Sequence, residues 1–180
     1  MIVPDLKFEQ NHFQLFGLSP CFKLERDQLE RAFLALQSQI HPDKSAHLSD
    51  LVQRIAMQNA TRVNEAYQTL KSPIRRARYL LLLQGVDTQE ETNTVMPIDF
   101  LMTQMEWREA VIEAEKNRDL VVLGQLESRI KILTLELETE LASKIDVERD
   151  YTAAAGMVRK LRFMEKLAEE ISTAYDELDR

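Results

Sequence analysis

Cysteine is nearly absent from this 180-residue chain: Cys21 stands alone. One thiol cannot close an intramolecular disulfide, supply a four-thiolate zinc site or hold an iron–sulfur cluster unaided. Glycine and proline are also scarce, with 4 and 5 residues. That scarcity argues against turn-rich all-β folds and leaves little material for glycine-rich phosphate loops. No uninterrupted apolar run approaches the ~18–20 residues that cross a bilayer. The opening Met-Ile-Val-Pro-Asp-Leu-Lys-Phe-Glu lacks the basic and apolar regions of a secretory signal. A cytoplasmic location is the expectation.

What is present is 44% hydrophobic and 29% charged residues, the balance of a folded protein. Charge is uneven along the chain. Residues 1–85 hold 11 Lys and Arg against 8 Asp and Glu, whereas residues 86–180 hold 12 against 22. The net charges of +3 and −10 sum to the chain's −7. An acidic second half disfavours binding to a phosphate backbone and suits either solvated helices or a basic protein partner.

Helical periodicity dominates, and no strand pattern emerges. A short helix is expected over Asn11–Leu18. A longer one runs from about Arg26 to His41, where Leu29, Phe33, Leu36 and Ile40 form one apolar stripe. Pro42 stops it, because the ring disfavours helical backbone at the preceding residue. The next helix spans about Asp50 to Leu70, with Ala56, Ala60, Val63, Tyr67 and Leu70 in line. Ser72-Pro73 reads as an N-cap followed by proline at the first helical position, and Gly85 as the matching C-cap. Residues 86–96 are polar and aperiodic, the natural linker. Three further helices, about 99–116, 119–147 and 151–178, predict a three-helix bundle. The expected fold is all-α, with domains at 1–85 and 97–180.

The stretch Ile40-His41-Pro42-Asp43-Lys44 falls between two amphipathic helices expected to pair antiparallel. Proline stiffens the turn, so an imidazole and a carboxylate project from fixed backbone. A carboxylate held this way accepts charge-assisted hydrogen bonds from an arginine on another protein. Helix punctuation alone would use the same residues: histidine at the dipole's negative end, proline as terminator and aspartate in the turn.

A second feature lies on the helix around 99–116. At 100° per residue, Phe100, Trp107, Val111 and Ala114 share one stripe, the core face. Met102, Met105, Glu106, Glu109 and Glu113 fall opposite, with Leu101 on the flank. Flexible, polarisable methionines fringed by acids suit an adaptable protein-binding strip, although a bundle helix with two neighbours can also use them to fill a second seam.

The chain resembles the J-domain co-chaperones and, more narrowly, the HscB family of iron–sulfur cluster assembly. The likeness is carried by Phe13-Gln14-Leu15-Phe16-Gly17-Leu18, by His41-Pro42-Asp43-Lys44, by Asn64 through Pro73, and by Arg76-Ala77-Arg78-Tyr79-Leu80-Leu81. It continues through Phe100-Leu101-Met102, Glu106 to Glu109, and Val158 to Phe163, which select HscB over other J proteins. The resemblance implies a J domain joined to a C-terminal three-helix bundle. It implies that His41, Pro42 and Asp43 dock on a DnaK-class ATPase of the HscA type and accelerate its hydrolysis. Arg26, Arg31 and Lys44 are candidate basic assistants to that docking. Ser38 stands where the family often has a basic residue and Ile40 where it often has an aromatic one. With Glu25, Asp27 and Glu30 on the same helix, steering by positive charge should be weaker than usual.

By the same resemblance, Leu101, Met102, Met105, Glu106, Glu109 and Glu113 bind an IscU-type scaffold protein. Phe163 matches a further family contact, a core aromatic being the alternative. Paired N-terminal cysteines that bind zinc in some members are missing, so no metal or other cofactor is expected. His12, His41, His47 and Cys21 match no common ligand spacing. Neither a nucleophile elbow nor a nucleotide-binding loop occurs. Arg75-Arg76-Ala77-Arg78, one short basic run in an acidic protein, is no nucleic-acid signal. The implied protein is a non-enzymatic adaptor that delivers the scaffold to the chaperone. A general J protein with another client is the runner-up, and a small enzyme with an unfamiliar site a distant third.

Overall fold

The computed structural model describes residues 10–40, 49–88 and 96–178. Among them are seven α-helices and no strand: α1 His12–Leu15, α2 Arg26–Ile40, α3 Asp50–Lys71, α4 Pro73–Leu83, α5 Ile98–Lys116, α6 Leu120–Ala142 and α7 Tyr151–Leu178. Two compact units span Met1–Leu80 and Leu81–Arg180, dividing within α4. The expected loop at His41, Pro42, Asp43 and Lys44 lies outside the described residues, as does His47.

In the first unit, a reciprocal cap starts α1. The Asn11 side chain accepts from the Gln14 amide at 2.9 Å, and the Gln14 side chain accepts from the Asn11 amide at 2.9 Å. α3 packs against both α1 and α2. Phe13, Leu29, Val63, Ala66 and Leu70 are buried there, and Phe33 stacks on Tyr67 with ring centroids 4.0 Å apart. The stripe on α2 is thus used as its spacing requires. Arg76 is structural: its Nη1 donates to the Leu70 carbonyl at 2.7 Å and its guanidinium lies over Phe22. Gly85 closes α4 at φ +74°, with the Val86 amide donating back to the Leu81 carbonyl at 2.9 Å.

His12 stacks on Tyr79 at 4.1 Å. Burial holds its pKa below the ordinary 6.5, with the Glu65 charge opposing and the Arg62 charge adding to that effect. The unfolded chain therefore takes up a proton first as pH falls through 6.5, and the stability carried by neutral His12 is lost on acidification. Urea melts of the chain should show a lower midpoint at pH 5 than at pH 7, and a His12→Gln variant should show less of that difference. An unchanged difference would remove His12 as its source.

In the second unit, α5, α6 and α7 pack pairwise. Trp107, Val111 and Ala114 of α5 meet Leu123 and Ile130 of α6 and Met164, Leu167, Ile171 and Ala174 of α7. The Asp119 carboxylate caps α6, accepting from the Val121 and Val122 amides at 3.1 and 3.0 Å. Asp150 caps α7, accepting from the Ala153 amide at 3.0 Å. Asp119→Ala should cost about 1 kcal/mol and lower the melting midpoint by a few degrees. No loss would show that the cap is redundant.

Two details differ from the sequence expectation. The helix expected over 119–147 is α-helical only to Ala142 and then widens into a π-helical turn, Ser143–Glu148, ended by Arg149 at φ +56°. Glu148 reaches back within that turn to Lys144 Nζ at 2.6 Å and Ser143 Oγ at 3.1 Å. These contacts recoup part of what the wider hydrogen-bond ring gives up, and propensity patterns carry no signal for it. The other detail is Thr88, inside the expected linker. It is buried, and its carbonyl accepts from Arg159 Nη1 on α7 at 3.1 Å, so the polar segment begins anchored to the bundle.

Candidate functional site: the outer face of α5

α5 has apolar residues on two opposite faces. One face faces the bundle through Trp107, Val111 and Ala114. The other carries Met102, 58% exposed, and Met105, 64% exposed, with Leu101 also exposed. Glu106, Glu109 and Glu113 are all exposed beside them. A helix that buries one apolar stripe and leaves a second in water is unusual, because the second contributes nothing to folding of the isolated chain. At 100° per residue, Met102, Met105 and Glu109 fall within 60° of one another, and Glu106 and Glu113 border them on one side. The result is an apolar ridge with an acidic margin.

Sequence reading missed two members of this ridge. Ile98, 73% exposed, and Ile112, 64% exposed, lie on the same face at either end of it. Their signal was available: each stands seven residues from Met105 and so 20° from it on the helical wheel, but neither belongs to the segments that carried the family likeness. Ile112→Ser should weaken partner binding several-fold without lowering the melting midpoint, because its side chain is already solvated. Unchanged affinity in titration calorimetry would place the end of the contact before residue 112.

Phe163, carried over as a further contact, lies behind this surface and is only 8% exposed. Its ring stacks with Trp107 at 6.4 Å and meets Phe100 edge-on at 5.8 Å. The Arg108 guanidinium covers it at 5.5 Å and bridges to Glu170 at 3.1 Å. Phe163 thus packs as a core aromatic that helps hold α5 against α7. An aromatic on a helix with ten buried residues had many apolar neighbours to join.

On α2, Arg26 and Arg31 are both exposed. Five residues apart, they stand 140° apart around the helix and do not form one basic face. Arg31 is the outward one, opposite the buried Leu29–Ile40 side, with Asp27 and Ser38 near it on that face. Cys21 is partly buried, its Sγ 3.4 Å from the Lys23 carbonyl. Among the described residues no cluster of three or more His, Cys, Asp or Glu side chains could hold a metal, and no helix is long and apolar enough to cross a membrane.

Known proteins share this architecture. Residues 96–172 match the family model described as the HSCB C-terminal oligomerisation domain. The chain is 52% identical over 171 residues to the co-chaperone protein HscB homolog of Chromobacterium violaceum, covering 95% of this chain and 97% of that one. It is 47% identical over 174 residues to the homolog of Aromatoleum aromaticum, covering 97% and 98%. Among solved structures, chaperone HscB from Vibrio cholerae superposes with a TM-score of 0.84 at 36% identity, covering 94% of this chain and 99% of that one. Human co-chaperone protein HscB superposes with a TM-score of 0.88 at 28% identity, covering 96% and 85%. With near-complete coverage by such relatives, the outer face of α5 belongs to a member of the HscB co-chaperone family.

Proposed function

We propose that the chain joins an IscU-type iron–sulfur scaffold protein to an HscA-type DnaK-class chaperone and stimulates the chaperone's ATPase. The observation that carries the client half is the solvated apolar ridge of α5 with its acidic margin. It matches a partner that presents an apolar patch beside basic groups. Leu101, Met102, Met105, Glu106, Glu109 and Glu113 make that contact, extended by Ile98 and Ile112. Phe163 positions α5 from behind.

His41, Pro42 and Asp43 make the chaperone contact, assisted by Lys44, Arg31 and Arg26. They break no bond. They bias the chaperone toward its hydrolysing state by binding that state better, the only way a partner can shift a conformational equilibrium. The protein is accordingly an adaptor rather than an enzyme, acting in the cytoplasm without a cofactor. The working division keeps the J domain in residues 1–85 and the scaffold-binding bundle in 97–180. Residues 86–96 tether them, which raises the effective concentration of client at the chaperone.

Titration calorimetry against an IscU-type scaffold, paired with steady-state ATPase assays of an HscA-type chaperone, tests both halves. Saturable scaffold binding and stimulated hydrolysis are expected. Stimulation without scaffold binding would turn the reading into a general J protein with a different client. Absence of both would overturn it.

A further inference from the structure

We propose that Met102 and Met105 form a reversible oxidation site, at which a hydroperoxide converts both thioethers to sulfoxides and releases the client from α5. The inference rests on the scaffold-binding reading of that ridge. Among the described residues, three methionines are more than half exposed: Met57 at 65%, Met102 at 58% and Met105 at 64%. Met157 and Met164 are buried on α7. Met96 is half-buried, and its sulfur accepts from Gln104 Nε2 at 3.3 Å. Oxygen transfer needs access to a sulfur lone pair, so exposure ranks the methionines by reactivity. Only Met102 and Met105 combine that exposure with a place on the docking ridge. Three residues apart, they stand 60° apart around α5 and project side by side.

Hydrogen peroxide, the simplest hydroperoxide, is the only co-reactant the forward step needs. Each sulfur gives two electrons to the O–O bond, which breaks. One oxygen stays on sulfur and the other leaves as water with both protons. Reversal consumes two thiols, which close a disulfide as the sulfoxide oxygen departs as water. The flexible apolar side chain has meanwhile become a polar one, a hydrogen-bond acceptor.

The neighbours on α5 decide what that acceptor does. One turn from Met102 stand Ile98, Asp99 and Glu106, and one turn from Met105 stand Leu101, Arg108 and Glu109. Ionised carboxylates accept hydrogen bonds and cannot donate them. The nearby donors are engaged elsewhere. Arg108 lies over Phe163 and reaches Glu170, Thr103 donates to the Asp99 carbonyl at 2.9 Å, and Gln104 donates to Met96. Basic groups on the partner are drawn to Glu106 and Glu113 at the margin, which accept more strongly than a neutral sulfoxide. Each sulfoxide oxygen therefore depends on water, and a docked partner displaces water from the centre of the ridge. Leaving such an acceptor unpaired should weaken binding about tenfold for one sulfoxide and about a hundredfold for both. The His41-Pro42-Asp43 contact contains no methionine, so oxidation separates client binding from chaperone stimulation.

The test treats the full chain, carrying Cys21→Ser to remove the competing thiol, with hydrogen peroxide and maps the products by peptide mass spectrometry. Met57, Met102 and Met105 should gain oxygen before Met157 and Met164. In titration calorimetry against an IscU-type scaffold, the oxidised chain should bind about a hundredfold more weakly than the untreated one. Methionine sulfoxide reductases of both stereochemical classes, supplied with a dithiol, should restore binding. Met57→Leu should leave that loss in place. Met102→Leu with Met105→Leu should remove it, the variant's affinity being the same before and after peroxide. Stimulation of an HscA-type chaperone in the absence of scaffold should persist after oxidation. Ridge methionines that react no faster than Met164, or scaffold binding that survives their oxidation, would overturn the site. A leucine variant as sensitive to peroxide as its parent would place the damage elsewhere and overturn it too. Loss of chaperone stimulation along with binding would mark general damage and overturn selective release. An untreated chain that fails to bind scaffold would instead overturn the scaffold reading, and the release step with it.

Discussion

His41→Gln or Asp43→Asn is expected to abolish stimulation of the chaperone's ATPase while the helical circular dichroism stays that of the parent chain. The reasoning is energetic. In the proposed function, the Asp43 carboxylate accepts a charge-assisted hydrogen bond from an arginine of the chaperone. Truncating one member of such a desolvated pair costs about 2–5 kcal/mol, because the remaining charge is left without a counterpart. Stimulation depends on the difference in affinity between two chaperone states, so a loss of that size removes essentially all of the bias. Helicity should survive because α2 and α3 are held by Leu29, Val63, Ala66 and Leu70, all of them outside the loop. Stimulation that persists in either variant would reduce the tripeptide to helix punctuation.

The second large effect concerns α5. Changing Met102 and Met105 together to serine should weaken scaffold binding by about 10- to 1,000-fold, since central apolar anchors carry most of an interface's energy. Thermal stability should move by no more than about a degree or two, because both side chains are more than half exposed in the free chain. Leu167→Ala supplies the contrast. Its side chain is fully buried at the centre of the bundle, and its removal should cost about 2–5 kcal/mol and lower the melting midpoint steeply. Glu106, Glu109 and Glu113 changed to glutamine should instead slow association and flatten its dependence on salt. A methionine pair that lowers stability as Leu167 does would place the ridge inside the bundle in solution and remove it as a docking surface.

Much of this protein was legible before any coordinates. Leu29, Phe33, Leu36 and Ile40, like Ala56, Val63, Tyr67 and Leu70, repeat at helical spacing, and such spacing leaves one face to bury. Helix ends were legible for the same local reason. Ser72-Pro73 and Gly85 act on amides and carbonyls within a turn of themselves, so their effect does not wait for tertiary contacts. The second apolar stripe of α5, opposite Trp107 and Val111, was legible as well, but its exposure was not, because a second seam of the bundle could have used the same methionines.

What remained hidden depends on residues distant in the chain. Phe163 and Leu101 look alike as apolar positions near a likeness to known proteins. Only the packing of α7 on α5 sends one into the core between Trp107 and Phe100 and leaves the other in water. The anchoring of the Thr88 carbonyl likewise depends on an arginine 71 residues away. Local sequence determines which backbone elements form and which faces are apolar, since those follow from one-turn interactions. Which apolar face is covered, and by what, is settled by long-range packing, where burial of one surface leaves another for a partner.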